Sequence, residues 1–164
     1  MNQIANIQDK HQVFMSKAIQ LSRESMNSLK GGPFGAIIVK DGEIISEGTN
    51  SVTLWNDPTA HAEVVAIRRA CTKLQTFQLT GCDIYSTCEP CPMCLGAIYW
   101  ARPRAIYFAA ERHDAAQAGF DDGFIYDELA LPLHQRSLSI VQMMRDEAAQ
   151  VLREWGSKPD KKEY

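Results

Sequence analysis

The sequence predicts an α/β fold, a layered sandwich with helices on both faces of a sheet. The main observation is that apolar, β-type runs alternate with segments of helical periodicity along the chain. The length of 164 residues fits a single domain, which we expect to span residues 1–164. Hydrophobic residues make up 45% of the chain and charged residues 23%, and both values are ordinary for a globular protein.

A helix followed by a hairpin is predicted for the N-terminal part of the chain. Residues 9–30 carry apolar side chains at helical spacing, which predicts the helix. The run FGAIIVKDGEIISEG, residues 34–48, places Asp41-Gly42 between two β-rich stretches. Asp-Gly is a strong signal for a tight turn, because such turns need positive φ angles. The sequence therefore predicts a β-hairpin here.

The middle of the chain predicts two helices and two strands in alternation. Residues 60–74 have apolar residues on one helical face, and Thr59 or Asp57 is the expected cap. CDIYST, residues 82–87, reads as a short buried strand. A helix from Pro92 to about Trp100 follows, since Pro is tolerated in a first turn. AIYFAA, residues 105–110, reads as another strand.

The last third predicts a loop with a short helix, then a strand and a final helix. The loop and short helix cover residues 119–130, GFDDGFIYDELA. SLSIVQMM, residues 137–144, is the expected last strand, and residues 145–155 are the expected last helix. The polar tail GSKPDKKEY, residues 156–164, is expected to be irregular.

Charge and hydropathy disfavour two classes of partner. The net charge is −3 and the sequence pI is about 5.8, and Lys and Arg are scattered, whereas nucleic-acid binders usually show a basic stripe. No apolar run approaches the roughly 20 residues that cross a bilayer. The N-terminus, MNQIANIQDK, lacks the basic start and apolar block of a signal peptide. We therefore expect a cytoplasmic protein that binds neither nucleic acid nor a membrane.

Cysteine usage indicates a metal site. The chain has five Cys, and in a reducing cytosol clustered Cys bind metal or react more often than they form disulfides. Cys71 and Cys82 stand alone among apolar neighbours and are expected to be small core residues. Cys88, Cys91 and Cys94 form a cluster within TCEPCPMCLG.

His61, Cys91 and Cys94 are the predicted zinc ligands. Imidazole and thiolate are typical ligands of zinc. Cys91 and Cys94 lie three apart, so a loop-to-helix turn can aim both sulfurs at one point, and His61 lies in the first turn of its own predicted helix. The combination of His-x-Glu with a later Pro-Cys-x-x-Cys is the signature of zinc nucleobase deaminases.

Glu63 is the predicted catalytic residue. Three protein ligands leave a fourth zinc position for water, whose pKa zinc lowers to about 7. Glu63 would shuttle protons from this water to a ring nitrogen and to the leaving amino group. The alternative is a structural zinc site in which Cys88 supplies a fourth ligand. A domain of this size does not need zinc to fold, and a structural site needs no carboxylate, so the catalytic interpretation is favoured.

In TAHAE and CEPCPMCLGA the chain resembles the cytidine deaminase-like superfamily. Within it, the chain is similar to bacterial guanine deaminases over almost its whole length, most specifically in AAERHDAAQAGFDDGFIY and the terminal KKEY. The resemblance implies a central mixed sheet of about five strands and hydrolysis of guanine to xanthine and ammonia with Zn²⁺ as the cofactor. It also implies a homodimer in which the tail, residues 156–164, crosses over and closes the partner's active site, with Tyr164 over the pocket.

The resemblance further implies a set of substrate-binding residues. Phe34 and Trp100 would line the faces of the ring. Asn50, Asp122 and the backbone of Ala62 would contact its polar edge. From the residues alone, the aromatic pair would more often be core, and Asn50 and Asp122 turn residues.

Three other functions stay open at the level of the sequence. The protein could be a deaminase of another amino-heterocycle, such as cytosine, adenine, guanosine or an aminotriazine. Transfer-RNA adenosine deaminases share the zinc motifs. A non-catalytic, zinc-stabilised interaction domain is the third alternative.

Overall fold

The computed structural model describes residues 2–164, with side chains from Lys10 onwards. The chain divides into two compact units, which meet between Asp122 and Gly123 in the sequence and are described separately. The helices of the first unit are α1 (Asn2–Asn27), α2 (Val52–Trp55), α3 (Ala62–Leu74), α4 (Pro92–Ala101) and α5 (Arg112–Gln117). Its strands are β1 (Gly35–Lys40), β2 (Glu43–Thr49), β3 (Cys82–Cys88) and β4 (Ala105–Ala110).

The sheet is mixed and has the strand order β2-β1-β3-β4. Strand β1 is antiparallel to both β2 and β3, and β3 is parallel to β4. The predicted hairpin is confirmed: Asp41 and Gly42 have φ angles of 51° and 83°, the left-handed conformation that a two-residue hairpin turn requires. The sheet has four strands in the described part of the chain, so the expected number of about five is wrong.

Helices cover both faces of the sheet, which confirms the predicted three-layer α/β/α sandwich. Successive strand residues point to opposite faces. Ile38 and Ile84 lie in the core cluster shared with α3 and α4, whereas Ile37 and Tyr85 pack in the cluster formed with α1. Strands β1 and β3 are therefore buried on both sides, and they hold the helices that carry the candidate site.

Strand β2 and helix α3 approach each other unusually closely at Gly48. A Cβ atom at this position would lie 2.2 Å from the carbonyl oxygen of Ala62 and 2.6 Å from the amide nitrogen of Ala66. Only a glycine lets the two backbones come so near. The start of α3 is thus fixed in place by contact with the sheet.

The predicted cap of α3 is wrong. His61, with an extended backbone, is the N-cap residue, and the helix begins at Ala62. The carboxylate of Asp57 instead accepts hydrogen bonds from the backbone N–H and the hydroxyl of Thr59, at 2.8 and 2.7 Å. Asp and Thr favour such local turns as strongly as they favour helix caps, so the sequence signal was ambiguous.

The second unit is helical. It contains α6 (Gly123–Ala130), a short 3₁₀ helix (Leu133–Gln135) and α7 (Arg145–Ser157), which confirms the predicted last helix. This helix continues two residues beyond its predicted end, so the irregular tail begins at Lys158 and not at residue 156. The strand predicted for residues 137–144 is wrong, because this segment has no bridging backbone partner in the described chain. Its apolar residues are exposed, Leu138 by 71% and Val141 by 73%, so the apolar pattern alone did not produce a strand.

None of the described helices combines the length and the apolar character needed to cross a membrane.

Candidate active site

Two helix N-termini bring the predicted zinc ligands together. His61 is the N-cap of α3, and Cys91 is the N-cap of α4 with φ −61° and ψ 166°. Pro92 suits the first helical position because its missing N–H needs no partner there. Cys94 lies in the same first turn, and its backbone N–H donates to the Cys91 sulfur at 3.5 Å. The positive ends of the helices favour thiolates at this point.

The donor atoms have the spacing of a tetrahedral zinc site. The Nδ1 atom of His61 lies 3.5 Å from each of the two sulfurs of Cys91 and Cys94. All three donor atoms lie within 4.8 Å of one another. With a Zn–N bond of about 2.1 Å and a Zn–S bond of about 2.3 Å, nitrogen and sulfur in a tetrahedron lie roughly 3.5 Å apart. The three side chains therefore fit a zinc ion.

Cys88 is oriented away from this group. Its thiol donates a hydrogen bond to the carbonyl oxygen of Glu111 at 3.7 Å, and the metal-ligating cluster contains only the other three side chains. Burial raises the pKa of the Cys88 thiol to about 11, so it stays protonated at neutral pH. The geometry thus supports three protein ligands and one open position, the arrangement of a catalytic zinc site.

Glu63 lies beside the ligands and is buried, with 7% of its surface exposed. Its Oε1 accepts a hydrogen bond from the hydroxyl of Ser86 at 2.8 Å, and its Oε2 accepts one from the Cys94 thiol at 3.5 Å. Burial raises the pKa of this carboxyl above its ordinary value. A carboxyl with a raised pKa takes up and releases protons more readily near neutral pH, which suits general acid and base catalysis.

The protein itself stabilises a thiolate at Cys91. The interaction with the Cys94 side chain, helped by the His61 ring, lowers the pKa of Cys91 to about 4. The pKa of Cys94 is raised by the same interaction and by burial. The hydrogen bond to Cys91 raises the pKa of His61. The lowered pKa of Cys91 favours the deprotonated form that binds zinc.

A small cavity opens in front of the cluster. Its volume is about 110 Å³, and it is formed by residues of the first unit. The lining residues are Phe34, Asn50, His61, Ala62, Glu63, Cys88, Glu89, Cys91, Arg112, Ala115, Phe120 and Asp122. The cavity therefore combines two zinc-ligand candidates and the Glu63 carboxyl with aromatic and amide side chains.

Comparison with known families agrees with this geometry. The model of the cytidine and deoxycytidylate deaminase zinc-binding region matches residues 8–110, which include all three ligand candidates and Glu63. The chain belongs to this deaminase family. The predicted zinc cofactor is confirmed.

Individual relatives extend the similarity beyond the zinc-binding region. The deaminase is 54% identical to the guanine deaminase of Bacillus subtilis (strain 168) over 94% of this chain and 99% of the relative. The X-ray structure of guanine deaminase from Bacillus subtilis superposes with a TM-score of 0.91, at 55% identity, over 94% of this chain and 98% of that one. A tRNA-specific adenosine deaminase of Aquifex aeolicus is 45% identical over 66% of this chain and 73% of its own length.

Four of the six predicted substrate-binding residues of the deaminase line the cavity. These are Phe34, Asn50, Ala62 and Asp122. Trp100 does not line it: this residue lies on α4 with 64% of its surface exposed. Tyr164 lies in the C-terminal unit and is 71% exposed, and its place over a partner's pocket stays a prediction.

Asn50 is held in one orientation by the backbone around it. Its side-chain oxygen accepts from the backbone N–H groups of Gly32 at 3.4 Å and Val52 at 3.3 Å. The NH₂ group is the end that remains as a donor, since the oxygen is already occupied. The carboxyl group of Asp122 supplies hydrogen-bond acceptors to the same cavity, and partial burial raises the pKa of this group.

The sequence did not identify several cavity residues. Phe120, which lines the cavity, meets Phe34 edge to face, with ring centroids 4.9 Å apart. Glu89, Arg112 and Ala115 also line the cavity. Ser86, the partner of Glu63, was missed as well. Strand alternation offered a signal for Ser86, because it places a polar side chain on the helix-covered face of a buried strand.

Proposed function

We propose that the protein catalyses the zinc-dependent hydrolytic deamination of guanine to xanthine and ammonia. The observation that carries the proposal is the buried Glu63 carboxyl beside a three-ligand zinc cluster at a small cavity. The similarity to the Bacillus subtilis guanine deaminase over nearly the full length of both chains supports guanine as the substrate.

Glu63 is the residue proposed to move the protons. When bound, zinc supplies a water of lowered pKa that is nucleophilic at neutral pH. Glu63 accepts the first proton of the water and passes it to a ring nitrogen. It then accepts the second proton of the same oxygen and passes it to the departing amino group, which leaves as ammonia. Its position, 3.5 Å from the sulfur of Cys94, keeps the carboxyl next to the metal ligands during these transfers. Burial keeps bulk water from competing for the protons.

The cavity favours a free base. Its volume of about 110 Å³ is small beside the roughly 300–1,000 Å³ of pockets for drug-sized ligands. Guanine presents acceptors at O6 and N7, which suit the NH₂ group of Asn50, and donors that suit the carboxylate of Asp122. Phe34 and Phe120 supply aromatic surface for the ring. We therefore propose the free base as substrate and no nucleic-acid partner, in agreement with the net charge of −3.

We also propose that the protein acts as a homodimer in the cytoplasm, in purine metabolism. In this arrangement residues 156–164 of one subunit close the partner's active site, and Tyr164 covers the pocket. Leu138, Val141 and Met143 are exposed apolar residues within one short segment, and such a concentration supports a partner because contiguous exposed apolar surface marks interaction sites. Deletion of residues 156–164 should abolish turnover while zinc stays bound, and full activity of the truncated protein would contradict the role of the tail.

A substrate panel tests the proposed reaction. Ammonia release is measured for the zinc-loaded protein with guanine, cytosine, adenine, guanosine and an aminotriazine, and RNA binding is measured over a salt series. The proposal expects guanine to give the highest kcat/KM. Preference for another base would assign the protein a different substrate within the same deaminase family. Tight, salt-sensitive binding of transfer RNA would instead favour an RNA-editing deaminase.

A further inference from the structure

We propose that Ser86 is a positioning residue, which holds the Glu63 carboxyl in the orientation needed for proton transfer. The inference rests on the proposed function and adds a residue to it. Its basis is the 2.8 Å hydrogen bond that the Ser86 hydroxyl donates to Oε1 of Glu63. Both side chains are buried, with exposed fractions of 2% and 7%.

Ser86 is anchored in a rigid part of the molecule. It lies in β3, where it pairs with Ala36 of β1 on one side and with Phe108 of β4 on the other. Strand β3 is buried along its whole length. A donor on such a strand has a fixed position, so it supports the mobile end of a Glu side chain better than a donor on a loop.

The hydrogen bond selects one of the orientations open to the carboxyl group. The last torsion angle of a Glu side chain is broad and is not fixed by its own rotamer preferences. With Oε1 held by Ser86, Oε2 faces the sulfur of Cys94 at 3.5 Å. The second oxygen is therefore the one presented to the metal ligands. Removal of the hydroxyl frees the carboxyl to rotate away from this orientation.

Ser86 acts through Glu63 and not through the substrate. It is absent from the residues that line the cavity, where Glu63 itself is present. Loss of the hydroxyl should therefore lower kcat and leave KM nearly unchanged. A catalytic group displaced by about 1 Å can lose about a hundredfold in rate, so the expected fall in kcat for Ser86→Ala is about tenfold to a hundredfold.

Ser46→Ala is the matched control. Ser46 is also a buried serine of the sheet, and its hydroxyl donates to the carbonyl oxygen of Ala66 in α3 at 2.7 Å. Both variants remove one buried hydroxyl between the sheet and α3, but only Ser86→Ala affects Glu63. Ser86→Thr restores a hydroxyl at position 86 and should recover most of kcat. If the threonine variant fails to fold, Ser86→Cys, a weaker donor of similar size, should give an intermediate kcat.

The experiment compares kcat, KM, zinc content and Tm of the full-length variants with guanine, together with crystal structures of zinc-loaded wild type and Ser86→Ala. Of the two alanine variants, only Ser86→Ala should lose kcat. It should do so at full zinc content and with a rotated Glu63 carboxyl. The inference is overturned if Ser86→Ala keeps kcat within twofold, if Ser46→Ala loses as much, or if the Glu63 carboxyl does not move. Failure of the wild type to release ammonia from guanine would instead reject the substrate assignment, and the crystal structures would still test Ser86.

Discussion

The contact between Gly48 and α3 predicts that a single methyl group will damage the active site. In Gly48→Ala, the new Cβ would lie 2.2 Å from the carbonyl oxygen of Ala62, roughly 1 Å closer than the 3.4 Å at which ordinary contact begins. The neighbouring atoms belong to the helix backbone and cannot rotate away. Helix α3 must therefore move from β2 by about 1 Å, by the same van der Waals limit.

The displacement should lower both stability and activity. Overpacking of this kind costs about 1–3 kcal/mol, which corresponds to a fall in Tm of about 2–12 °C for a protein of this size. The contact falls on Ala62, which lies between His61 and Glu63 in the first turn of α3. A shift of about 1 Å at a catalytic group can lower kcat by about a hundredfold.

Gly96→Ala is the control for this prediction. Gly96 is an exposed residue inside α4, and a Cβ there would meet nothing within 4 Å. Alanine is favoured over glycine in a helix by about 1 kcal/mol, so this variant should be slightly more stable and fully active. The assay is kcat with guanine, alongside a thermal melt, for the two variants and the wild type. Unchanged kcat and Tm in Gly48→Ala would refute the role of this contact in placing the site.

The ligand assignment and the sheet make two further predictions. Cys91→Ser should lose zinc and activity, whereas Cys88→Ser should keep its zinc, because the Cys88 thiol donates a hydrogen bond to the Glu111 carbonyl and is not a ligand. Metal analysis of both variants tests this prediction. Equal loss of zinc in the two variants would support a site with four protein ligands. Burial raises the pKa of Tyr85 from 10.0 to about 12, because the buried hydroxyl is held in its neutral form. The stabilisation by this neutral hydroxyl is therefore complete below pH 10 and is lost as the pH rises towards 12. Tyr85→Phe removes the 2.7 Å hydrogen bond with His11, which should lower the free energy of unfolding by about 0.5–1.5 kcal/mol at neutral pH. Above pH 10 the stability of this variant should fall less steeply with pH than that of the wild type. Urea titrations at several pH values measure this, and an equally steep fall in both proteins would contradict the prediction.

Local sequence patterns predicted most of the fold. Asp41-Gly42 specifies its own turn, and the apolar faces of α3 and β3 match the core that the structure shows. Residues 137–144 show the limit of such patterns. A strand exists only where another backbone pairs with it, and the sequence does not reveal whether that partner is available.

The candidate site was predictable where its chemistry depends on short spacing. Cys91 and Cys94 share one helical turn, and His61 and Glu63 share another, so each pair is visible in the sequence. Ser86 was not found, because its contact with Glu63 joins residues that are 23 positions apart. Strand alternation marks Ser86 as a polar residue on a covered face of β3, but the identity of its partner depends on how β3 packs against α3, which no local pattern encodes.

The most direct test of the proposed role of Glu63 is ammonia release from guanine by wild type and Glu63→Gln, with zinc measured in both proteins. We expect turnover by the wild type, and a loss of at least about a hundredfold in the variant at equal zinc content, because general acid and base catalysis typically contributes about 10²–10⁴-fold. Turnover that survives in zinc-loaded Glu63→Gln would contradict the central role of this carboxyl. No turnover of guanine by the zinc-loaded wild type would contradict the proposed substrate.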